Sequence, residues 1–189
     1  MVLSGDLSQT LITSARLTLR AFTAADAAET FAETNARIAK FMSWNPSASE
    51  TEFKAIWQEH ISNMKAGKGL HLVNRLTGTN EFIGRAGLNS ADADLLETGV
   101  WIKESTQGQG YGREAVAALI KWASEKFHPS GFLYPVVDEN TPSRRLAEAL
   151  RGEIIGTRQR HKAGDKDRTL LLYCIPACQK ATVRSKSWQ

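Results

Sequence analysis

The fold and chemistry of this chain turn on Gln107-Gly108-Gln109-Gly110-Tyr111-Gly112-Arg113, a stretch between a segment of strand character and one of helical periodicity. Three glycines at alternate positions let the backbone bend so that its N–H groups converge, and a helix starting there adds the positive end of its dipole. Such a turn suits phosphate. Each charge-assisted bond from an N–H to a phosphate oxygen contributes ~1.5–3 kcal/mol, so three or four can anchor a pyrophosphate without a lysine. The same glycines would also serve a flexible strand-to-helix turn that binds nothing. Two other nucleotide-binding patterns fail on these letters. A P-loop puts Lys-Ser or Lys-Thr at the helix start, where this chain has Arg113-Glu114. A dinucleotide fold spaces its glycines G-x-G-x-x-G after the first strand of a repeated βαβ pattern, with an acid about 20 residues on. Here the spacing is G-x-G-x-G, in mid-chain, and no second βαβ pair exists.

Outward from the loop, Glu97 to Ile102 reads as the strand before it. Arg113 to about Lys126 reads as the helix after it, with Ala115, Val116, Leu119, Ile120, Ala123 and Phe127 on one buried side and His128, Pro129 and Gly131 as its end. Phe132 to Val137 is the next strand. Pro135 cannot donate to a ladder, so this strand is expected to be unpaired there on at least one side. Thr141 as cap and Pro142 open a short helix through Leu150. Two last strands lie near 153–160 and 168–175, joined by a polar loop.

Before the loop, Arg16 to Arg20 alternates as a half-buried strand, and Thr23 with Asp26 opens a helix like a capping box. Ser49 with Glu52 repeats that signal before a second helix. Its Phe53, Ile56, Trp57, His60, Ile61 and Met64 share one face, expected to pack on the core until Gly67 and Gly69 end the helix. His71 to Leu76 and Glu81 to Leu88 form a hairpin around 77–80, with Gly84 and Gly87 marking bulges or a close backbone approach. The order is β-α-α-β-β-β-α-β-α-β-β, an α+β domain with a mixed, mostly antiparallel central sheet and flanking helices. It divides into an N-terminal extension 1–14, a domain 15–176 and a basic flexible tail 177–189.

At 189 residues and 20.8 kDa the chain suits one domain that needs no disulfide or metal staple. Cys174 and Cys178 are too few for a disulfide framework, and His60, His71, His128 and His161 show no ligand spacing, so no metal is expected. The first residues lack a signal-peptide pattern and no apolar run approaches the ~20 residues of a membrane helix. A cytoplasmic protein without membrane association is expected, as monomer or homodimer. The formal charge is +4 and the pI about 9.2, yet Lys180, Arg184 and Lys186 place three of those charges in the acid-free tail. The basicity therefore belongs to a short appendage rather than to a nucleic-acid surface.

Gln107-x-x-Gly110-x-Gly112 resembles the acetyl-CoA signature of the GNAT N-acetyltransferase superfamily, and the element order is similar to that fold. More closely, the chain resembles the RimJ/RimL-type ribosomal-protein N-acetyltransferases from about Arg16 to Pro176. The supports are Arg16-Leu17-Thr18-Leu19-Arg20, Phe41-Met42-Ser43-Trp44 with Pro46, Glu97-Thr98-Gly99-Val100-Trp101-Ile102, the glycine loop, and Asp138-Glu139-Asn140-Thr141-Pro142-Ser143. The resemblance implies acetyl-CoA as co-substrate, its pantetheine arm lying where strands 97–102 and 132–137 splay apart. It further implies that Val100, Trp101 and Ile102 offer backbone groups to pantetheine and the developing oxyanion, and that Gln107, Gly108, Gln109, Gly110, Tyr111, Gly112 and Arg113 form the pyrophosphate loop. Asn140 and Ser143 match its N-x-x-S, the asparagine at pantetheine and the serine near the thiol.

Many members carry a tyrosine on the short helix as general acid, but residues 143–150 contain none, and the usual L-G-F reads Leu150-Arg151-Gly152. That leaves Ser143, or a water it holds, as the local donor, unless its hydroxyl only caps the helix. Glu97 matches the glutamate that opens this strand in the subfamily and is the candidate base, against a plain solvated or ion-paired role. Trp44, in a loop, is the candidate wall of the acceptor site, while Trp57 and Trp101 read as core. No cysteine sits where a covalent relay needs one, so direct transfer is expected. An α-amine with pKa ~7.7–8.0 is roughly 10–15% neutral at pH 7, against about 0.04% for lysine, which favours a protein N-terminus as acceptor. A small-molecule amine acetyltransferase, acting on a polyamine, antibiotic or amino acid, and a non-catalytic acyl-CoA-binding module are the alternatives. An acidic acceptor pocket would favour the polyamine.

Overall fold

A computed structural model describes residues 3–91 and 94–178, so Lys180, Arg184, Lys186 and nearly all of the expected tail lie outside the described residues. Along the chain run β1 (Leu11–Thr13), β2 (Leu17–Ala21), α1 (Ala27–Glu33), α2 (Ala36–Ala39), α3 (Glu50–Lys65), β3 (Gly69–Leu76), β4 (Phe82–Ser90), β5 (Leu95–Ile102), α4 (Tyr111–Phe127), β6 (Gly131–Val137), α5 (Thr141–Ala149), β7 (Glu153–Arg160) and β8 (Arg168–Pro176). The eight strands make one sheet in the order β1-β2-β3-β4-β5-β6-β8-β7. Every neighbouring pair is antiparallel except β5 with β6. The expected α+β class and mixed, mostly antiparallel sheet are what the chain forms. Among the described residues no helix is long and apolar enough to cross a membrane, and no cluster of His, Cys, Asp and Glu could hold a metal ion.

Two elements go beyond the sequence reading. Leu11–Thr13 pairs with β2, and Leu3 and Leu7 are almost fully buried, with the Leu7 N–H donating to the Met64 carbonyl at 2.9 Å. A three-residue strand is too short to show alternation, and Gly5, Asp6 and Ser8 hide the apolar spacing of its flanks. The four-residue α2 is nucleated by Asn35, whose Oδ1 accepts from the N–H groups of Arg37 and Ile38. At α5 the cap is Asn140 rather than Thr141: its Oδ1 accepts from the Ser143 N–H at 3.3 Å.

The core is apolar sheet surface covered by α4, whose Ala115, Val116, Leu119 and Ala123 are completely buried. Helix α3 lies on β3, and only its Phe53 and Met64 are buried. Trp57 and Ile61 of the expected face pack against the core while partly buried, and Ile56 and His60 border an open cleft, where Ile56 is exposed and His60 stacks on His71 of β3 with ring centroids 3.9 Å apart. An apolar stripe at helical spacing thus serves both a core and a pocket.

Beneath α1, Asp26 is 1% exposed, bonded to Arg20 at 2.5 and 2.7 Å and to Arg75 at 3.1 Å. Burial opposes its charge, but the two guanidinium groups and Thr23 win and hold the carboxyl at about 2.

Candidate active site

The glycine loop ends β5 and caps α4. Gly108 and Gly110 both lie in the left-handed region, at φ 77° and 81°, which favours glycine. A Cβ at Gly108 would meet nothing within 4 Å, so the loop's surface is open to a ligand. The Glu114 N–H bonds the Gly110 carbonyl at 3.1 Å, whereas those of Tyr111, Gly112 and Arg113 have no acceptor among the described residues. These donors lie in the first turn of a 17-residue helix, where the positive end of its dipole lies.

Two features of the loop were hidden in the sequence. Arg16 donates from Nη1 to the Gln109 carbonyl at 3.2 Å and lies over the Tyr111 ring at 4.5 Å, so the turn leading into β2 brings a positive charge to the loop. Glu114 holds it there, accepting from Arg16 Nε and from the Arg16 N–H, each at 2.7 Å. Gln107 is exposed, and its Nε2 donates to the Ile102 carbonyl at 2.9 Å, bracing the loop against the end of β5.

Strands β5 and β6 pair only over Leu95–Gly131, Leu96–Phe132 and Glu97–Leu133, then part. Pro135 lies in the parted stretch, still facing β8 across Leu172, so its missing N–H is on the side of the gap. The Lys103 N–H and the Leu95 carbonyl both bond toward β4, and backbone groups alternate, so those of Thr98, Val100 and Ile102 point into the gap. Trp101 is the exception among the three residues expected to face it: its backbone groups face Arg85 on β4.

The two faces of the gap carry different chemistry. On the α5 side, Tyr134 is 3% exposed and its hydroxyl lies 2.9 Å from the Ser143 hydroxyl. Burial pushes the phenol up, only partly offset by Ser143, so it stays protonated near neutral pH and can donate. A tyrosine hydroxyl thus reaches the short helix from a strand, though residues 143–150 contain none. Sequence reasoning missed it because Tyr134 and Ser143 meet only once α5 folds back on β6.

The opposite face is a cleft of about 520 Å³. Its floor contains Gly87 and Gly99, and a Cβ at Gly99 would meet nothing within 4 Å. Glu97, the last residue of β5 paired with β6, borders it. Burial raises the Glu97 carboxyl above the usual range, with Arg158 pulling the other way. Trp44 forms part of the wall, 37% exposed, on the loop between α2 and α3. The β7–β8 hairpin clamps that loop: Arg160 donates to the Met42 carbonyl at 2.6 Å, Lys162 to Ala39 at 2.8 Å, and Asn45 returns a bond to Ala163 at 3.0 Å. Trp101, expected in the core, borders the cleft as well and packs on Phe82.

Residues 16–153 match the family model for the acetyltransferase (GNAT) domain. An N-acetyltransferase 9-like protein of Caenorhabditis briggsae is 33% identical over 81 residues, 42% of this chain and 41% of that protein, so the match spans less than half of the relative. Among solved structures, a ribosomal-protein alpha-N-acetyltransferase, RimL, in complex with coenzyme A superposes with a TM-score of 0.78 at 20% identity, over 89% of this chain and 98% of that one. An acetyl transferase of Salmonella typhimurium, described as modifying the N-terminal serine of a 50S ribosomal subunit protein, gives 0.77 at 20% identity over 89% of this chain and 100% of the other. At these identities the likeness is one of fold.

Proposed function

The chain belongs to the acetyltransferase (GNAT) domain family, and from that premise we propose that it moves the acetyl group of acetyl-CoA directly to a primary amine, foremost the α-amine of a protein N-terminus. The observation that carries this reading is the gap between β5 and β6, which has a half-buried carboxylate on one face and a protonated phenol on the other.

The residues present fit acetyl-CoA. The open left-handed turn at Gly108 and Gly110, the free N–H groups of Tyr111, Gly112 and Arg113, and the Arg16 guanidinium would hold its pyrophosphate, and the Val100 and Ile102 edge with Asn140 would flank the pantetheine. When bound, acetyl-CoA supplies the activated acetyl thioester. Glu97 takes the proton from the attacking amine, directly or through water, and burial, which raises its pKa above the ordinary value, makes it a stronger base than an exposed carboxylate. Tyr134, steadied by Ser143, gives a proton to the departing sulfur from the other face. Trp44 and Gly99 shape the acceptor's place. The relatives described as acting on ribosomal-protein N-termini support the α-amine over lysine, as does the scarcity of neutral lysine amine at pH 7.

The cleft does not favour a polyamine, because its lining holds one carboxylate, Glu97, against two guanidinium groups, Arg85 and Arg158. The free cysteines Cys174 and Cys178 support a reducing, cytoplasmic location. Incubation with acetyl-CoA and a panel of N-terminal peptides, lysine-blocked peptides and small amines, followed by free thiol and by acetylation of the acceptor, tests the proposal. Thiol release with N-terminal acetylation is expected. Acetyl-CoA binding without turnover on any amine would leave the module reading in its place.

A further inference from the structure

Arg85 projects from β4 beside the acceptor cleft without the partner that such a group ordinarily has. Its guanidinium donates from Nη2 to Nδ1 of His60 at 3.3 Å and lies 4.6 Å from the centroid of the Phe22 ring. Arginine can only donate, so His60 accepts on Nδ1 and is neutral, stacked on a second imidazole, His71. Burial and the neighbouring charge hold these histidines at about 3 and about 4, so neither adds charge to the cleft near neutral pH. Among the described residues no carboxylate forms an ion pair with Arg85. Asp26, which acts on it from a distance, is already held by Arg20 and Arg75. The guanidinium is desolvated enough to fall to about 10. Arg85 is half-buried at the cleft, and its Nε and Nη1 make no hydrogen bond among the described residues.

The cleft as a whole is short of negative charge. Its lining holds two guanidinium groups, Arg85 and Arg158, against one carboxylate, Glu97, with the two imidazoles neutral. Arg85 and Glu97 share the cleft face of adjacent strands, because Arg85 opposes Trp101 and Asn89 opposes Glu97. Their backbones are four residues apart along the sheet, roughly 13 Å, about the span of four extended residues.

We propose that Arg85 is an anion-recognition subsite that selects acceptors carrying a carboxylate, specifically peptides with Asp or Glu at the second to fourth position behind the reacting amine. This rests on the reading of the cleft as the acceptor site for an amine. The acid accepts from Nη1 and from the second N–H of Nη2, the other being given to His60, while the amine lies at Glu97.

Binding and turnover separate the two claims. Peptides of one length beginning with serine, carrying Glu or Gln at positions two to four, are titrated into the protein saturated with CoA, and in parallel assayed with acetyl-CoA. Free aspartate and glutamate form a further arm. The Glu peptide is expected to bind at least tenfold tighter than its Gln twin at low salt, the ratio shrinking as salt rises, and to show the same ratio in kcat/KM. In Arg85→Met, checked for retained CoA affinity and melting temperature, the ratio should collapse to one. Equal affinity of the Glu and Gln peptides in the wild-type protein overturns the subsite whatever the variant does, as does a ratio that survives Arg85→Met. A free amino acid preferred over every peptide overturns it in favour of a carboxylate held next to the amine. Peptide preference without thiol release from any acceptor would instead defeat the transferase reading while leaving the subsite standing.

Discussion

Replacing Gly110 by valine separates a phosphate loop from a merely flexible turn. Gly110 has φ 81°, where an L residue costs roughly 1–2 kcal/mol and a β-branched one more. The new Cβ would meet only Arg16 Nη2 at 3.6 Å, an ordinary contact, so nothing forces the core to move. The strain is relieved locally, by rotating the backbone that aims the N–H groups of Tyr111, Gly112 and Arg113. If two of those three bonds to phosphate are lost at ~1.5–3 kcal/mol each, CoA affinity falls by about 10²- to 10⁴-fold. Titration calorimetry against CoA and against pantetheine reads this directly. Pantetheine should bind the variant within about twofold of the wild type, because it carries no pyrophosphate. Unchanged CoA affinity in a folded Gly110→Val protein would refute the assignment of the loop. Equal losses for CoA and pantetheine would show damage beyond the phosphate site.

Three further outcomes are expected. In the wild type kcat/KM should fall as pH drops through a value above the usual carboxylate range, since Glu97 must be ionised to act, and Glu97→Gln should lower kcat/KM about 10²-fold and abolish that limb; a preserved limb would assign it to another group. Tyr134→Phe should reduce kcat about 10²-fold with acetyl-CoA affinity retained, and an unchanged kcat would return the proton-donor role to Ser143 or water. Asp26 titrates at about 2 when folded against its ordinary value of 3.8, so it contributes about 2 kcal/mol of stability that is present above pH 4 and lost as pH falls toward 2. Asp26→Asn should cost about 3 kcal/mol at pH 7, because two guanidinium groups lose their counter-charge, and should flatten that acid limb in denaturant titrations; a pH profile indifferent to the substitution would contradict the ion-pair account.

What the sequence disclosed, and what it withheld, follows from the range of the interactions involved. The loop 107–113 was legible because left-handed turns demand glycine and helix ends demand caps, both local requirements. Pro135 disclosed that its strand goes unpaired on one side, because a missing N–H has to face something other than a strand, and the resemblance placed that side toward β5. Tyr134 and Ser143 stand nine residues apart with no periodic relation, and Arg16 lies 93 residues before the Gln109 carbonyl it bonds. Only the assembled sheet brings such partners together. The cleft residues His60, His71 and Arg85 come from a helix and two strands, and a helical stripe containing His60 reads as core because periodicity reports which face is covered, not whether protein or ligand covers it. The three-residue β1 is set by its pairing with β2, a contact without a local signature.

Direct transfer to an amine is tested most simply by following free thiol from acetyl-CoA with and without an acceptor peptide whose N-terminal amine is free. Thiol should appear only when both are present, in equal amount to N-terminally acetylated peptide, and blocking the peptide's α-amine should abolish it. Thiol released without acceptor, or acetyl groups recovered on the protein itself, would contradict direct transfer from acetyl-CoA across the gap between β5 and β6.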